Sequence, residues 1–211
     1  MTAFITHYLK SKRLDLIGLL ALLCLFVSHL GSAHAEPGAA EVTAFRIERS
    51  SDAVLLSATV RFELSSAVED ALLKGVAVIF VAQADVFRDR WYWMKKKVAS
   101  AERHMRLAYQ PLTRRWRLSQ SSGLQNNSGL GVSLNQNFDT LADALAAVQR
   151  QSRWKITDLS DIDAEQRHII EFKFHLDVAQ LPRPLQIGTL GQSDWDIAAS
   201  TTRVLVMETA K

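Results

Sequence analysis

Apolar and polar residues alternate with period two along most of this chain, the pattern of strands with one buried and one wet face. The clearest run interleaves Ile170, Phe172, Phe174, Leu176 and Val178 with Glu171, Lys173, His175 and Asp177. Val54, Leu56, Ala58, Val60, Phe62 and Leu64 alternate likewise with Ser57, Thr59, Arg61 and Glu63. Ser50-Ser51-Asp52, a turn-forming cluster, joins that run to a partner strand over Val42 to Arg49. Val76 to Val81 is apolar on both faces, as in a central covered strand, and continues through Phe87 toward Trp93. Val98 to Tyr109 places Ala99, Ala101, Met105, Leu107 and Tyr109 on one face. After the break at Pro111, Leu112, Trp116 and Leu118 share a face of the next strand. Trp154 and Ile156 begin another, Ile187, Trp195 and Ile197 fall in short strands, and Thr202 to Met207 closes the series.

The period changes to helical in two places. Ser66 with Glu69 three residues on forms a capping box, and Gly75 suits a helix end, so Ser66 to Lys74 is a short helix burying Val68, Ala71 and Leu72. Asp139 or Thr140 caps a second, in which Leu141, Ala144, Leu145 and Val148 make one stripe. Ser119 to Gln136, rich in Ser, Asn, Gln and Gly, reads as a mobile loop or a long hairpin tip, and Leu181-Pro182-Arg183-Pro184 as a strand-breaking segment. Strands joined by short turns outnumber helices, so the expected fold is mostly β: an antiparallel β-sandwich with two short helices. The alternative is an α+β open antiparallel sheet with both helices on one face.

The first 35 residues stand apart from this pattern. Lys10, Lys12 and Arg13 precede an uncharged apolar core from Leu16 to Val27, and Ala33-His34-Ala35 ends in a small-x-small pattern. Residues 1–35 are therefore expected to be a secretory signal peptide, followed by a linker over 36–41 and a single β-rich domain over 42–211. The apolar core is short of the about 20 residues a spanning helix needs, and an uncleaved inner-membrane anchor is the alternative. Cys24, the single cysteine, lies in the leader, so the mature domain is expected to have no disulfide, thiolate metal site or cysteine nucleophile. The leader also holds three of the 25 basic and one of the 22 acidic residues, leaving a near-neutral mature chain of 22 against 21. Net charge thus gives no reason to expect a general polyanion binder.

Familiar catalytic patterns are missing. The chain has no Walker phosphate loop, and Gly129-Leu130-Gly131 is followed by Leu134 where a dinucleotide fingerprint needs glycine. No nucleophile elbow and no zinc-protease helix occur. His168 and His175 fall on opposite faces of one strand and cannot share a metal; with His104 they read as edge or surface histidines. Asp158, Asp161, Asp163 and Glu165 resemble a calcium loop, but Gln166 and Phe172 stand where glycine and the bidentate glutamate belong. No cofactor or metal is expected. Glu102 and His104 could serve a hydrolase or transferase only if a bulge or a neighbour let them cooperate.

One feature rises above this background. From Arg88 to Arg117 ten basic residues face two acidic ones, while from Gln136 to Ser200 ten acidic residues face six basic. Within the basic part lies Arg90-Trp91-Tyr92-Trp93-Met94-Lys95-Lys96-Lys97, where indoles and lysines together suit an anionic membrane interface, or else the tryptophans are core. Arg88, Arg90, Lys95, Lys96, Lys97, Arg114, Arg115 and Arg117 are the candidate partner-binding residues. The expectation is an exported, periplasmic and non-enzymatic module that meets an acidic envelope partner: a protein, an anionic lipid or a glycan. Nucleic acid is not expected in that compartment. The alternatives are a hydrolase with a convergent site and a small-ligand binder whose inter-sheet cavity is lined by Trp116, Trp154 or Trp195.

From Phe45 to Met207 the chain resembles the proteobacterial domain-of-unknown-function family 4390. The resemblance rests on Leu72-Leu73-Lys74-Gly75-Val76, Arg90-Trp91-Tyr92-Trp93, Leu107-Ala108-Tyr109, Leu112-Thr113-Arg114-Arg115-Trp116-Arg117-Leu118, Phe138, Gln180-Leu181-Pro182-Arg183-Pro184-Leu185-Gln186 and Trp195. It implies a small exported protein of a Gram-negative bacterium and an operon link to a membrane sensor kinase. It assigns no site residues.

Overall fold

The computed structural model describes residues 40–88, 95–124, 133–163, 166–189 and 193–205. Among the described residues nine strands follow in chain order: β1 (Glu41–Arg49), β2 (Ala53–Arg61), β3 (Val78–Arg88), β4 (Lys96–Gln110), β5 (Arg115–Leu124), β6 (Ser133–Phe138), β7 (Arg150–Asp158), β8 (His168–Leu176) and β9 (Ala198–Leu205). Three helices join them: α1 (Ser66–Leu73), α2 (Leu141–Gln149) and α3 (Arg183–Thr189). All strand pairs are antiparallel. They form a three-stranded sheet ordered β1-β2-β7 and a six-stranded sheet ordered β6-β5-β4-β3-β8-β9. The fold is thus the mostly β, antiparallel sandwich-like architecture that the alternation predicts.

Side-chain parity explains how the layers meet. Val54, Leu56, Ala58 and Val60 turn inward from β2 toward Phe80, Ala82, Ala84, Phe172 and Phe174 of the large sheet, all buried. Phe62, just past β2, packs on Phe80 and Phe174 at centroid distances of 5.3 and 5.4 Å, and Phe45 of β1 reaches Phe172 at 5.9 Å. The large sheet is wider than the small one. Helix α2 packs beside the surplus, against β5, β6 and β7, and buries Ala144 and Val148. The opposite, outward face carries Gln83, Asp85, Ser100, Glu102, His104, Arg106, Arg117, Glu171, Lys173 and His175. Among the described residues no helix is long and apolar enough to cross a membrane.

Several local expectations are corrected. The cap of α1 is Ser65, not Ser66: Ser65 is extended, and its hydroxyl accepts from the Val68 N–H at 3.3 Å. At the other end Gly75, at φ +84, hands the Gly75 and Val76 N–H groups to the Leu72 and Ala71 carbonyls, the paired closure that a left-handed residue permits. Leu112 is fully exposed in a four-residue turn that brings Arg115 opposite Gln110, so it shares no face with Trp116. Of the two readings of Ser119 to Gln136 the long hairpin is the one that holds, since β5 runs to Leu124 and β6 pairs back on it. Val178 lies outside β8 in a 3-10 turn, because the Asp177 carboxylate accepts from the Ala179 N–H and ends the strand. Ile187 belongs to α3 rather than a strand; Pro184 is tolerated there because the first helical turn needs no donor from it. Trp195 sits in a 3-10 turn and Ile197 just before β9, both buried without being strand residues. His168, read as an edge or surface histidine, is fully buried on the inward face.

Candidate functional site

The basic run is drawn out along the molecule by β4, a strand of 15 residues. Its start, Lys96, lies opposite Arg88, and its end, Gln110, lies opposite Arg115. At about 3.3 Å per residue these ends are about 45 Å apart, so the candidate residues form two groups. At one end, Lys95 and Lys96 are exposed and Arg88 is half-buried, its Nε enclosed without a hydrogen-bond partner. Lys97 reaches the buried Asp85 carboxylate at 2.9 Å. Arg90, Trp91 and Trp93 lie outside the described residues.

At the other end the β4–β5 hairpin presents Arg114, Arg115 and Arg117, all exposed. Arg114 occupies the left-handed turn position at φ 52. Arg115 pairs with Asp139 at 3.1 Å. Arg106 joins this end, since it faces outward from β4 opposite Ser119, diagonal to Arg117. Among the described residues Arg106, Arg114 and Arg117 make no ion pair. Four cations therefore meet one carboxylate there.

Glu102 and His104 need no bulge to cooperate. They are two apart on β4, share the outward face, and approach to 3.6 Å. Neither residue lines the pocket described next.

The third cluster is internal, and it was missed because the basic run was read as a single block. Arg103 lies on the same face of β4 as Ala101, Met105 and Leu107, opposite Ala82 and Ser122, so its side chain starts among core residues. Parity was the available signal: an arginine at the centre of an apolar alternation. Its Nη1 donates to Gln151 Oε1 at 3.0 Å and its Nε to Ser122 Oγ at 3.2 Å. Gln120, with its amide oxygen toward the guanidinium, accepts from Nε and Nη1 at 3.0 and 3.1 Å. The guanidinium carbon lies 4.9 Å from the Trp154 ring centroid, an attractive cation–π arrangement. Gln151 is itself buried, and its Nε2 donates to the Val148 carbonyl at 2.9 Å and to Met105 Sδ at 3.1 Å.

A backbone irregularity makes this cluster. Gln151 and Trp154 are three residues apart and would face opposite ways on a regular strand. The register of β7 against β2 slips between Leu56 and Ala58, with Arg153 at φ 43 and its N–H bonded to Ser57 Oγ at 3.0 Å. The extra residue turns Gln151 and Trp154 to the same side. Beside them an open pocket of about 420 Å³ is walled by Arg103, Gln120, Gln136 and Arg150, with Ala146 and Ala147 of α2 and Ser152 completing it. Burial pulls the Arg103 pKa down to about 10, so the group is still cationic at neutral pH.

No curated protein and no solved structure matches the chain. The family model described as a domain of unknown function (DUF4390) matches residues 38–205. The folded domain from β1 through β9, with both the hairpin arginines and the internal arginine inside the matched span, therefore belongs to the DUF4390 family.

Proposed function

We propose that this protein is a non-enzymatic binding module of the cell envelope, exported by its leader to the periplasm of a Gram-negative bacterium. There its arginine-bearing hairpin meets an acidic partner. The observation that carries this reading is the β4–β5 corner, where Arg106 and Arg117 on the outward sheet face and Arg114 in the turn make no ion pair among the described residues. The opposite end supports it less, because Lys97 is already engaged with Asp85. Each cation near an anionic surface contributes about 1 kcal/mol, so three arginines contribute about 3 kcal/mol, on the order of a hundredfold in affinity. An anionic lipid surface, an acidic glycan and an acidic protein face, including the outer domain of a sensor kinase, all satisfy this chemistry.

Capture of partners from an envelope extract by the tagged protein tests the reading, at low and high salt. Capture should fall at least tenfold with salt and in the triple variant R106Q/R114Q/R117Q, while K95Q/K96Q/K97Q retains it. Loss in the lysine variant alone would move the interface to the other end of β4. Capture unchanged in both variants would refute the electrostatic module. Separately, finding the full-length chain with residues 1–35 intact among soluble cytosolic proteins would refute export.

A further inference from the structure

Arg103 carries its head inward between the two sheets, and every partner it has among the described residues is neutral. Ser122, Gln120 and Gln151 accept from Nε and Nη1, and Trp154 offers its π face. The Nη2 group and its two N–H donors have no partner among the described residues. Arg103 is half-buried and its Nη2 is not enclosed, so the group stays open toward the pocket, where an anion can replace water on it. The charge persists despite burial, since a group with its pKa near 10 stays protonated at neutral pH.

The pocket beside it has the complementary composition. Among the described residues its walls bear two arginines, Arg103 and Arg150, and no carboxylate. Gln120, with its oxygen committed to Arg103, also lines the pocket. The Gln136 amide and the Ser152 hydroxyl add further polar groups, and the small Ala146 and Ala147 side chains leave the space open. Its volume of about 420 Å³ falls within the usual range for small-molecule sites, about 300–1,000 Å³.

We infer that this pocket binds the oxyanion of a small molecule, a carboxylate or a phosphoryl group, held between Arg103 and Arg150. Arg103 supplies a fixed, planar donor set, because Gln151 holds it in place and is itself held by the Val148 carbonyl at the end of α2. Arg150 is exposed at the entrance and supplies the second charge. The site is independent of the hairpin corner and does not rest on the envelope reading.

The test is a titration of the full protein followed by ¹H–¹⁵N NMR at the Arg103 Nε–H and the Trp154 indole N–H. Inorganic phosphate and acetate are added separately, against sodium chloride of matched ionic strength. A saturable, millimolar shift of both signals with at least one oxyanion, absent with chloride, is expected, and the anion that saturates identifies the group preferred. In R150Q, which removes an exposed side chain and should fold normally, the apparent Kd should rise at least fivefold. R103M should abolish the Trp154 response; should that variant not fold, R150Q and Q136A decide. Shifts that follow ionic strength whatever the anion, or an R150Q titration that overlays the wild type, would overturn the inference.

Discussion

Asp85 shows how one residue can be legible in its face and illegible in its chemistry. Its parity assigns it to the polar side of β3, yet it is only 3% exposed there. Burial pushes its carboxyl up, but hydrogen bonds from Ser100 at 2.6 Å, Lys97 at 2.9 Å and Gln83 at 3.0 Å, with the Lys97 charge, prevail and hold it below the ordinary value of 3.8. The folded chain therefore binds this proton less readily than the unfolded chain. Its contribution to stability is complete above the ordinary value and is lost as pH falls below it, toward the folded value. Asp85→Asn should lower stability at pH 7 by about 1–3 kcal/mol, the cost of breaking such buried charge-assisted bonds. It should also lose less than the wild type between pH 5 and pH 3. Urea midpoints at the three pH values check this, and equal acid sensitivity of the two proteins would contradict it. The partners are residues 2, 12 and 15 positions away in sequence, and only the β3–β4 register brings Ser100 opposite Asp85.

Among the elements, α1 offers the sharpest contrast between legible and illegible. Val68, Ala71 and Leu72 are its buried stripe and Gly75 its terminator, both visible in the sequence. Two adjacent serines of identical chemistry stand at its start, and spacing to Glu69 favours the wrong one. With Ser65 as cap, the third helical position is Val68, so the reciprocal glutamate bond of a capping box is not formed. The course of the chain after Phe62, anchored in the core, selects between them. Ser65→Ala should cost about 1 kcal/mol, and Ser66→Ala less than about 0.5 kcal/mol. Thermal denaturation of the two variants distinguishes them, and the reverse order would restore the Ser66 cap. Helix α3 was hidden by its two prolines, which look like breakers wherever they stand and are compatible with helix only before and within its first turn.

At the scale of the whole molecule, the two sheets are joined by a cluster of phenylalanines from β3, β8 and the segment after β2. Phe80 and Phe174 stack at 5.8 Å, and Phe62 covers both. Phe80 is fully buried in the central strand of the wider sheet. Phe80→Ala should destabilise the protein by about 3–5 kcal/mol and lower Tm by on the order of 10 °C for a domain of this size. Calorimetry reads this, and a loss below about 1 kcal/mol would mean that the sheets do not depend on this layer. The same long strands that build the sandwich divide the basic run, because a stretch that is continuous in sequence becomes a rod with its charges at either end. The hairpin arginines are consequently a surface of their own.

Alternation determined β2, β4 and β8 and which of their side chains share a face, because on a regular extended backbone the direction of each side chain depends only on its neighbours. Helix periodicity and the glycine terminator were local in the same sense. Which strands pair was not local: β2 joins β7, nearly a hundred residues on, and β3 joins both β4 and β8. The meeting of Arg103 with Gln151, 48 residues away, required that pairing and also the irregularity at Arg153 that turns Gln151 inward. Tertiary structure decided those contacts because they exist only once distant segments close on one another, and no pattern along the chain encodes the slip in register that makes them.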